Sequence, residues 1–392
     1  MSHSSGRQLL QLPGPTNVPD RILRAMDRPL IDHRGPEFAE MMSGIFAGLR
    51  EVFDAEAGVM VFPSSATGCW ESALVNTLSP GDGVLLYDNG FFARKWGQMA
   101  HDLGFAVQVI DADWRQSVDD ALIAERLEGD ASREIRAVLV VHNETSTGVT
   151  SDIPAVRAAI DSTGHDTLLM VDTVSSLGAT EFKHDAWGVD VTVCGSQKGL
   201  MLPPGLGFCA VSERALEANA AAASPRAYWD WSDMRAMNEV GFFPSTPPTG
   251  LLFGLVEALA MVREEGLGGV FARHARFAAA TRRAAAAWGL ENYCADASAF
   301  SNSGTTLMMP GSAGGDAFRA ECLRRFDLVL GGGLGPLKDR VFRIGHLGDF
   351  NALMLAGTLA GVEMGLRASG VPVQESGVEV AMDVLLETSE SK

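Results

Sequence analysis

The sequence predicts an α/β fold built on a mainly parallel sheet, and two observations carry that expectation. Five short apolar runs, Gly58–Phe62, Gly83–Tyr87, Ala137–Val141, Leu168–Val171 and Val191–Cys194, have the length and composition of buried strands. Helix-like stretches separate them, among them Ala66–Thr77, Lys95–Leu103 and Ile153–Ser162. Strand–helix alternation puts helices on the faces of parallel strands. Ligands of such sheets gather beyond the carboxyl ends of the strands.

The elements can be justified in turn. The helix from Ile153 follows Ser151-Asp152, good N-cap chemistry, and carries Pro154 where a missing N–H costs little. A long apolar-periodic helix is expected over Gly250–Glu265. Beyond it the texture turns Ala- and Arg-rich, as in Arg273–Trp288, and Thr305–Met309 and Phe342–Ile344 read as further strands. The reading is therefore an N-terminal arm over 1–15, a large domain over 16–265 and a smaller α+β domain over 266–392. The tail after Ala381 is expected to be partly mobile.

Composition excludes several function classes. The chain has 392 residues, 46% hydrophobic and 20% charged, ordinary for a globular protein with a sizeable core. Its net charge of −18 argues against nucleic acid or an anionic membrane as partner. Any anionic substrate must be captured by local positive charge. The five cysteines are widely spaced, with no CxxC and no metal-ligand spacing. Reduced thiols and a cytoplasmic setting follow as the expectation. Neither a secretory leader nor a membrane span is read from the sequence.

Chemistry concentrates where strands end. The run Leu168–Val171 leads straight into Asp172, which either caps a turn or stands as a fixed carboxylate at a site floor. Lys198 comes after the next strand, within Gly195-Ser196-Gln197-Lys198-Gly199. An amine there would be desolvated and suited to Schiff-base formation. A pyridoxal phosphate enzyme needs such a lysine, together with an acid that keeps the pyridine nitrogen protonated. The segment Pro63-Ser64-Ser65-Ala66-Thr67-Gly68 joins a strand to a helix and offers small residues, hydroxyls and helix N–H groups to a phosphate, although many N-caps look alike. His142-Asn143-Glu144-Thr145-Ser146-Thr147-Gly148 is dense in polar groups, as a solvated loop or as a source of hydroxyls for a ring oxygen. Arg343, in Phe342-Arg343-Ile344-Gly345-His346, is either a carboxylate fork or half of an internal ion pair. His346 is as readily a packed loop histidine as a substrate contact. Asn89-Gly90-Phe91-Phe92 supplies an aromatic that stacks on a ligand ring or joins the core.

Taken in order, these segments resemble the class V aminotransferases of pyridoxal phosphate fold type I. The match is closest to the serine–glyoxylate and alanine–glyoxylate enzymes. It runs from Pro13-Gly14-Pro15-Thr16-Asn17 to Phe342-Arg343-Ile344-Gly345, and its most specific strings are Gly195-Ser196-Gln197-Lys198, Pro203-Pro204-Gly205, His142-Asn143-Glu144-Thr145 and Gly331-Gly332-Gly333-Leu334-Gly335. The resemblance implies a seven-stranded, mainly parallel sheet in the large domain. It implies a Schiff base on Lys198, a pyridine partner in Asp172, and ring-face contacts from Val174 and Phe92. Ser65, Ala66, Thr67 and Gln197 would hold the phosphate, with Thr145 near the ring hydroxyl. Arg343 would clamp the substrate carboxylate, with Asn17 and Arg34 also at the substrate. Phe243 and Thr246 would reach the neighbouring subunit's phosphate, making a homodimer with composite sites. The stretch Phe243-Pro244-Ser245-Thr246-Pro247-Pro248 carries Ser245 where that branch tends to carry Tyr, which bears on the amino donor.

The implied activity is transfer of an amino group from a small L-amino acid, serine first, to glyoxylate. Aspartate or alanine as donor is the alternative within the same chemistry. A lyase of the same fold, such as a cysteine desulfurase, would need a loop cysteine that the sequence does not evidently supply. A nucleotide-binding α/β protein with structural Lys198 and Asp172 is the reading from another class.

Overall fold

A computed structural model describes residues 6–386 apart from residue 312. Seven strands form one sheet in the order Val59–Ser64, Gly205–Val211, Val191–Gly195, Leu168–Asp172, Ile135–Val141, Gly83–Asp88 and Ala106–Asp111. Only Gly205–Val211 runs against its neighbours. Its central strands are buried along almost their whole length, so they read as continuous apolar runs, as a doubly covered sheet requires. The edge strand Ala106–Asp111 is mostly exposed and carries no such run.

Register sets the site. Asp172 lies level with Val141 on one side and Val193 on the other. The chain leaves these parallel strands at the same edge, so the segments after Ser64, Val141, Asp172 and Gly195 converge there. Helix starts agree with the sequence reading: Asp152 accepts from Ala155 N at the head of Ile153–Ser162. The long helix spans Thr249–Glu265. The helix expected from Lys95 instead begins at Phe91 and runs to Asp102. The segment with Phe91 and Phe92 is thus a helix start and not a connector.

A second sheet has the order Leu9–Gln11, Leu328–Gly332, Val341–Gly345 and Gly304–Met308. Its outer strand comes from the segment read as an arm: Leu9–Gln11 pairs in parallel with Leu328–Leu330. Two large hydrophobic clusters organise the chain, one from Ile22 to Val262 around the large sheet and one from Phe277 to Ala381 around the small one. The expectation of mobility after Ala381 needs correction as far as Leu386. Gly377–Leu386 is helical, Val378, Val384 and Leu385 pack on the second cluster, and Gly377 N donates to buried Glu363. Residues 387–392 lie outside the described residues.

Candidate active site

At the carboxyl edge of the large sheet lies a cavity of about 170 Å³ lined by Gly14, Pro15, Ser65, Ala66, Thr67, Trp70, Phe92, Val141, Asn143, Thr145, Asp172, Val174, Gln197 and Lys198. A cavity of about 150 Å³ takes up benzene, so the space suits a ring. Nine residues expected from the sequence meet here: Ser65, Ala66, Thr67, Phe92, Thr145, Asp172, Val174, Gln197 and Lys198.

Asp172 ends its strand almost fully buried. Its Oδ1 accepts from Val174 N at 2.7 Å and its Oδ2 from the Trp70 indole N–H at 2.7 Å. Burial lifts its pKa from 3.8 to about 7, against the pull of those two donors, while Glu144 pushes it up and Lys198 pulls it down. Lys198 sits in the turn after Val191–Gly195. Burial, with the Arg343 guanidinium adding to it, lowers its pKa from 10.5 to about 8. That amine loses its proton far more readily than a solvated lysine. Its Nζ donates to the Pro13 carbonyl at 2.6 Å.

The segment before the first long helices is laced to this lysine. Thr16 N donates to the Gln197 carbonyl, and Thr16 Oγ1 donates to that of Lys198. Gly14 has φ +93°, and a Cβ there would lie 2.1 Å from Lys198 Cδ. Only glycine meets both demands.

The helix Ala66–Thr77 starts at the cavity with no side-chain cap. Among the described residues, the backbone N–H groups of Ala66 and Thr67 make no hydrogen bond, and the first N–H groups of a helix have no partner within it. Gln197 Oε1 is buried beside them without a partner. Unsatisfied backbone N–H groups at a positive helix end call for an anion with several acceptor oxygens, while Gln197 Oε1, itself an acceptor, calls for a donor. Opposite, Thr145 Oγ1 donates to Ser175 Oγ at 2.8 Å, and Asn143 Nδ2 donates to Ser175 and Ser303. A phosphate end, an acid at the floor, a low-pKa amine and ring-sized space form a donor set that fits pyridoxal phosphate.

Arg343 lies on Val341–Gly345, level with Thr306 and Gly331. Among the described residues it forms no ion pair: Nε donates to the Gly332 carbonyl at 2.8 Å and Nη1 to the Thr145 carbonyl at 2.9 Å. Its Nη2 makes no hydrogen bond among the described residues. His346 is a packed histidine, between Thr305 Oγ1 and the Asn302 carbonyl, and burial lowers its pKa to about 3 and holds it neutral.

Besides Arg343, which touches its lining through the Thr145 carbonyl, four expected residues do not line the cavity. Asn17 donates its side-chain amide to the Leu10 carbonyl. Arg34 and Thr246 are exposed. The Phe243 ring is turned into the core of its own chain, edge-on to Phe38 at 6.3 Å, because an apolar ring gains more there than at a phosphate. Sequence reasoning missed Trp70, Pro13, Gly14 and Glu144. Trp70 had one signal: it lies a turn beyond Ala66, on the same helix face as the N-terminal donors.

The fold and this lysine–aspartate cavity define a protein of the pyridoxal phosphate fold type I class. Residues 10–299 match the family described as aminotransferase class-V, so the chain belongs to that family. It is 46% identical to the serine–glyoxylate aminotransferase of Methylorubrum extorquens, over 99% of this chain and 98% of that protein. It is 42% identical to the L-aspartate–glyoxylate aminotransferase of Paracoccus denitrificans, over 96% of each. The structure of the ureidoglycine–glyoxylate aminotransferase from Bacillus subtilis superposes with a TM-score of 0.90 at 27% identity, covering 98% of this chain and 99% of that one. Membership overturns the reading of the chain as a nucleotide-binding α/β protein.

Proposed function

We propose that this aminotransferase moves the amino group of L-serine to glyoxylate, giving glycine and a 2-oxo acid. The observation that carries it is the burial of Lys198 and Asp172 in one ring-sized cavity, each within the other's field. The choice of serine is supported by the 46% identity to the serine–glyoxylate enzyme. A second reading, aspartate as donor, is favoured by the Paracoccus denitrificans relative. A cysteine desulfurase reaction is not favoured, because all five cysteines are buried and none lines the cavity.

Pyridoxal phosphate, when bound, supplies an aldehyde that condenses with amines and a ring that accepts the electron pair of a broken Cα–H bond. The residues of the chain do the rest. Ala66 N, Thr67 N, Ser65 and Gln197 hold the phosphate, and Phe92 and Val174 wall the ring. Asp172 keeps a ring N–H in place through a carboxylate already fixed by Trp70 and Val174. Lys198 Nζ, desolvated to a pKa of about 8, takes up and returns the α-proton near neutral pH. Arg343 takes the substrate carboxylate, since its two backbone bonds fix the guanidinium without neutralising it.

The same reading has Thr246 and Arg34, both exposed, serving the site of a second subunit in a homodimer. It assigns 16–265 to a cofactor-binding domain, 266–392 to a smaller one, and the protein to the cytoplasm. The buried, unpaired thiols support the last, and no described helix is long and apolar enough to cross a membrane.

The test is glycine formation from glyoxylate with serine, alanine and aspartate as donors, in the wild type and in Lys198→Ala. Serine should give the highest kcat/KM, and Lys198→Ala should be folded, dimeric and inactive. Near-normal turnover by Lys198→Ala would refute the assignment.

A further inference from the structure

Glu144 is the buried acid that the proposed chemistry leaves without a task. It is fully buried, yet its carboxylate is saturated with donors. Oε1 accepts from Ser146 N at 2.9 Å and Ser146 Oγ at 2.6 Å. Oε2 accepts from Phe92 N at 3.0 Å and Ala93 N at 3.1 Å. Ser146 Oγ in turn accepts from Phe91 N. One carboxylate and one hydroxyl thus satisfy the first three N–H groups of the helix Phe91–Asp102. Burial pushes the carboxyl pKa up, and these donors pull it back. Three of the four neighbours are backbone N–H groups that can only donate, and an anion at a helix N-terminus is favoured. Glu144 is therefore ionised despite its burial. The approach is tight enough that a Cβ on Gly90 would lie 2.1 Å from Glu144 Cγ.

The same residue adjoins Arg343. The residue that follows Glu144, Thr145, presents its own carbonyl to Arg343 Nη1 at 2.9 Å. Arg343 is itself 8% exposed and bonded to carbonyls alone, so its charge needs an anion close by. Burial and the Arg319 guanidinium both weaken that charge, and the Glu144 carboxylate supports it.

We propose that Glu144 is a positioning residue for the carboxylate end of this site: its fixed negative charge is the resident counter-charge of Arg343, and it limits how tightly Arg343 takes an acid. The inference rests on Arg343 as the substrate's carboxylate clamp. A clamp facing no internal anion would hold substrate and product acids alike too firmly for turnover. Glu144 weakens both equally, without occupying the guanidinium's hydrogen-bonding edge.

The experiment uses the holoenzyme and 3-hydroxypropionate, the acid left when serine's amine is replaced by hydrogen, so that binding proceeds without reaction. Its Kd is read by titration calorimetry in the wild type, Glu144→Gln, Arg343→Ala, the double variant and Ser146→Ala. Glu144→Gln should bind the acid roughly threefold to tenfold more tightly. Ser146→Ala disturbs the same helix cap without changing charge, and should not tighten binding. In the Arg343→Ala background, Glu144→Gln should lose most of its effect. Unchanged or weaker binding in Glu144→Gln, or equal tightening in Ser146→Ala, overturns the inference. If Arg343→Ala leaves the Kd unaltered, the clamp itself is wrong and the failure lies one step earlier. Should Glu144→Gln not retain cofactor, the same cycle is read in Tm: Glu144→Gln should cost less stability beside Arg343→Ala than alone, and additive losses overturn the inference.

Discussion

The burial of Asp172 makes a prediction about stability that involves no turnover. In the cofactor-free protein its carboxyl is raised from 3.8 to about 7, chiefly by desolvation. Below pH 3.8 both folded and unfolded chains carry the proton. Between 3.8 and about 7 only the folded chain keeps it, and above that neither does. The folded state therefore binds more protons in this window, and stability falls as pH rises through it. A displacement of roughly three pH units at 1.36 kcal/mol each amounts to about 4 kcal/mol in total. Between pH 5.5 and 8, a range clear of the isoelectric point near 4.8, about 2 kcal/mol of this should be expressed. Asp172→Asn places a group there that does not titrate. Whatever the amide costs against the Trp70 N–H is constant with pH, so the difference between the two proteins isolates the carboxyl. Urea unfolding of both apoproteins across this range is the assay. The wild type should lose about 2 kcal/mol relative to Asp172→Asn on going from pH 5.5 to 8. With cofactor bound, a ring N–H partner keeps the carboxylate ionised and the slope should vanish. Parallel pH curves for the two apoproteins would refute the claim that Asp172 is desolvated as described.

Three further outcomes rest on named contacts. Trp70→Phe removes a 2.7 Å donor to Asp172 worth roughly 1.5–3 kcal/mol; equilibrium dialysis should show cofactor affinity falling at least about tenfold, and an unchanged Kd would mean that Val174 N alone fixes the carboxylate. Gly14→Ala forces a Cβ to within 2.1 Å of Lys198 Cδ at a φ of +93°; turnover should fall about 100-fold in a folded protein, and wild-type kcat would show that the segment yields freely. Arg343→Ala should raise KM for both serine and glyoxylate by roughly tenfold to a hundredfold, and a fall in kcat alone would contradict the clamp.

What the sequence made legible, and what it did not, divides along chain separation. Lys198 and Asp172 could be read because each comes after its own apolar strand, and parallel strands deliver their ends to one edge. The segment 63–68 was legible for the same reason, as small residues between strand and helix. Trp70 was not: its bond to Asp172 spans 102 residues, and a tryptophan in an apolar helix looks like core. Leu9–Gln11 was missed as a strand because three residues have no period, and its partner lies in the other sheet. Phe243 was placed by resemblance at a neighbouring subunit's phosphate, and within its own chain its ring packs edge-on to Phe38. Arg343 stayed ambiguous because a buried guanidinium reads alike whether it faces a protein acid or a ligand acid. Only the two carbonyl bonds separate these cases.

Two of the helices that begin at this edge differ in how their first N–H groups are satisfied, and the contrast supports the end proposed for a ligand. At Phe91 the N–H groups are fully occupied by Glu144 and Ser146, so that helix end is electrically closed. At Ala66 the cap residue Ser65 makes no side-chain bond to the helix, and Gln197 Oε1 beside it is left unpaired. A buried, unsatisfied helix start is costly unless something else completes it. In a chain of net charge −18 the long-range field repels anions, so the attraction must be short-ranged. The open helix end and Lys198 at the cavity, with Arg343 bonded to the carbonyl of its lining residue Thr145, supply it at separate points, whereas the acids Asp172 and Glu144 are each tied down by hydrogen bonds of their own. Fixed negative and available positive groups thus lie close together, an asymmetry by which, under the proposed function, a strongly acidic protein would hold a phosphate and a carboxylate together.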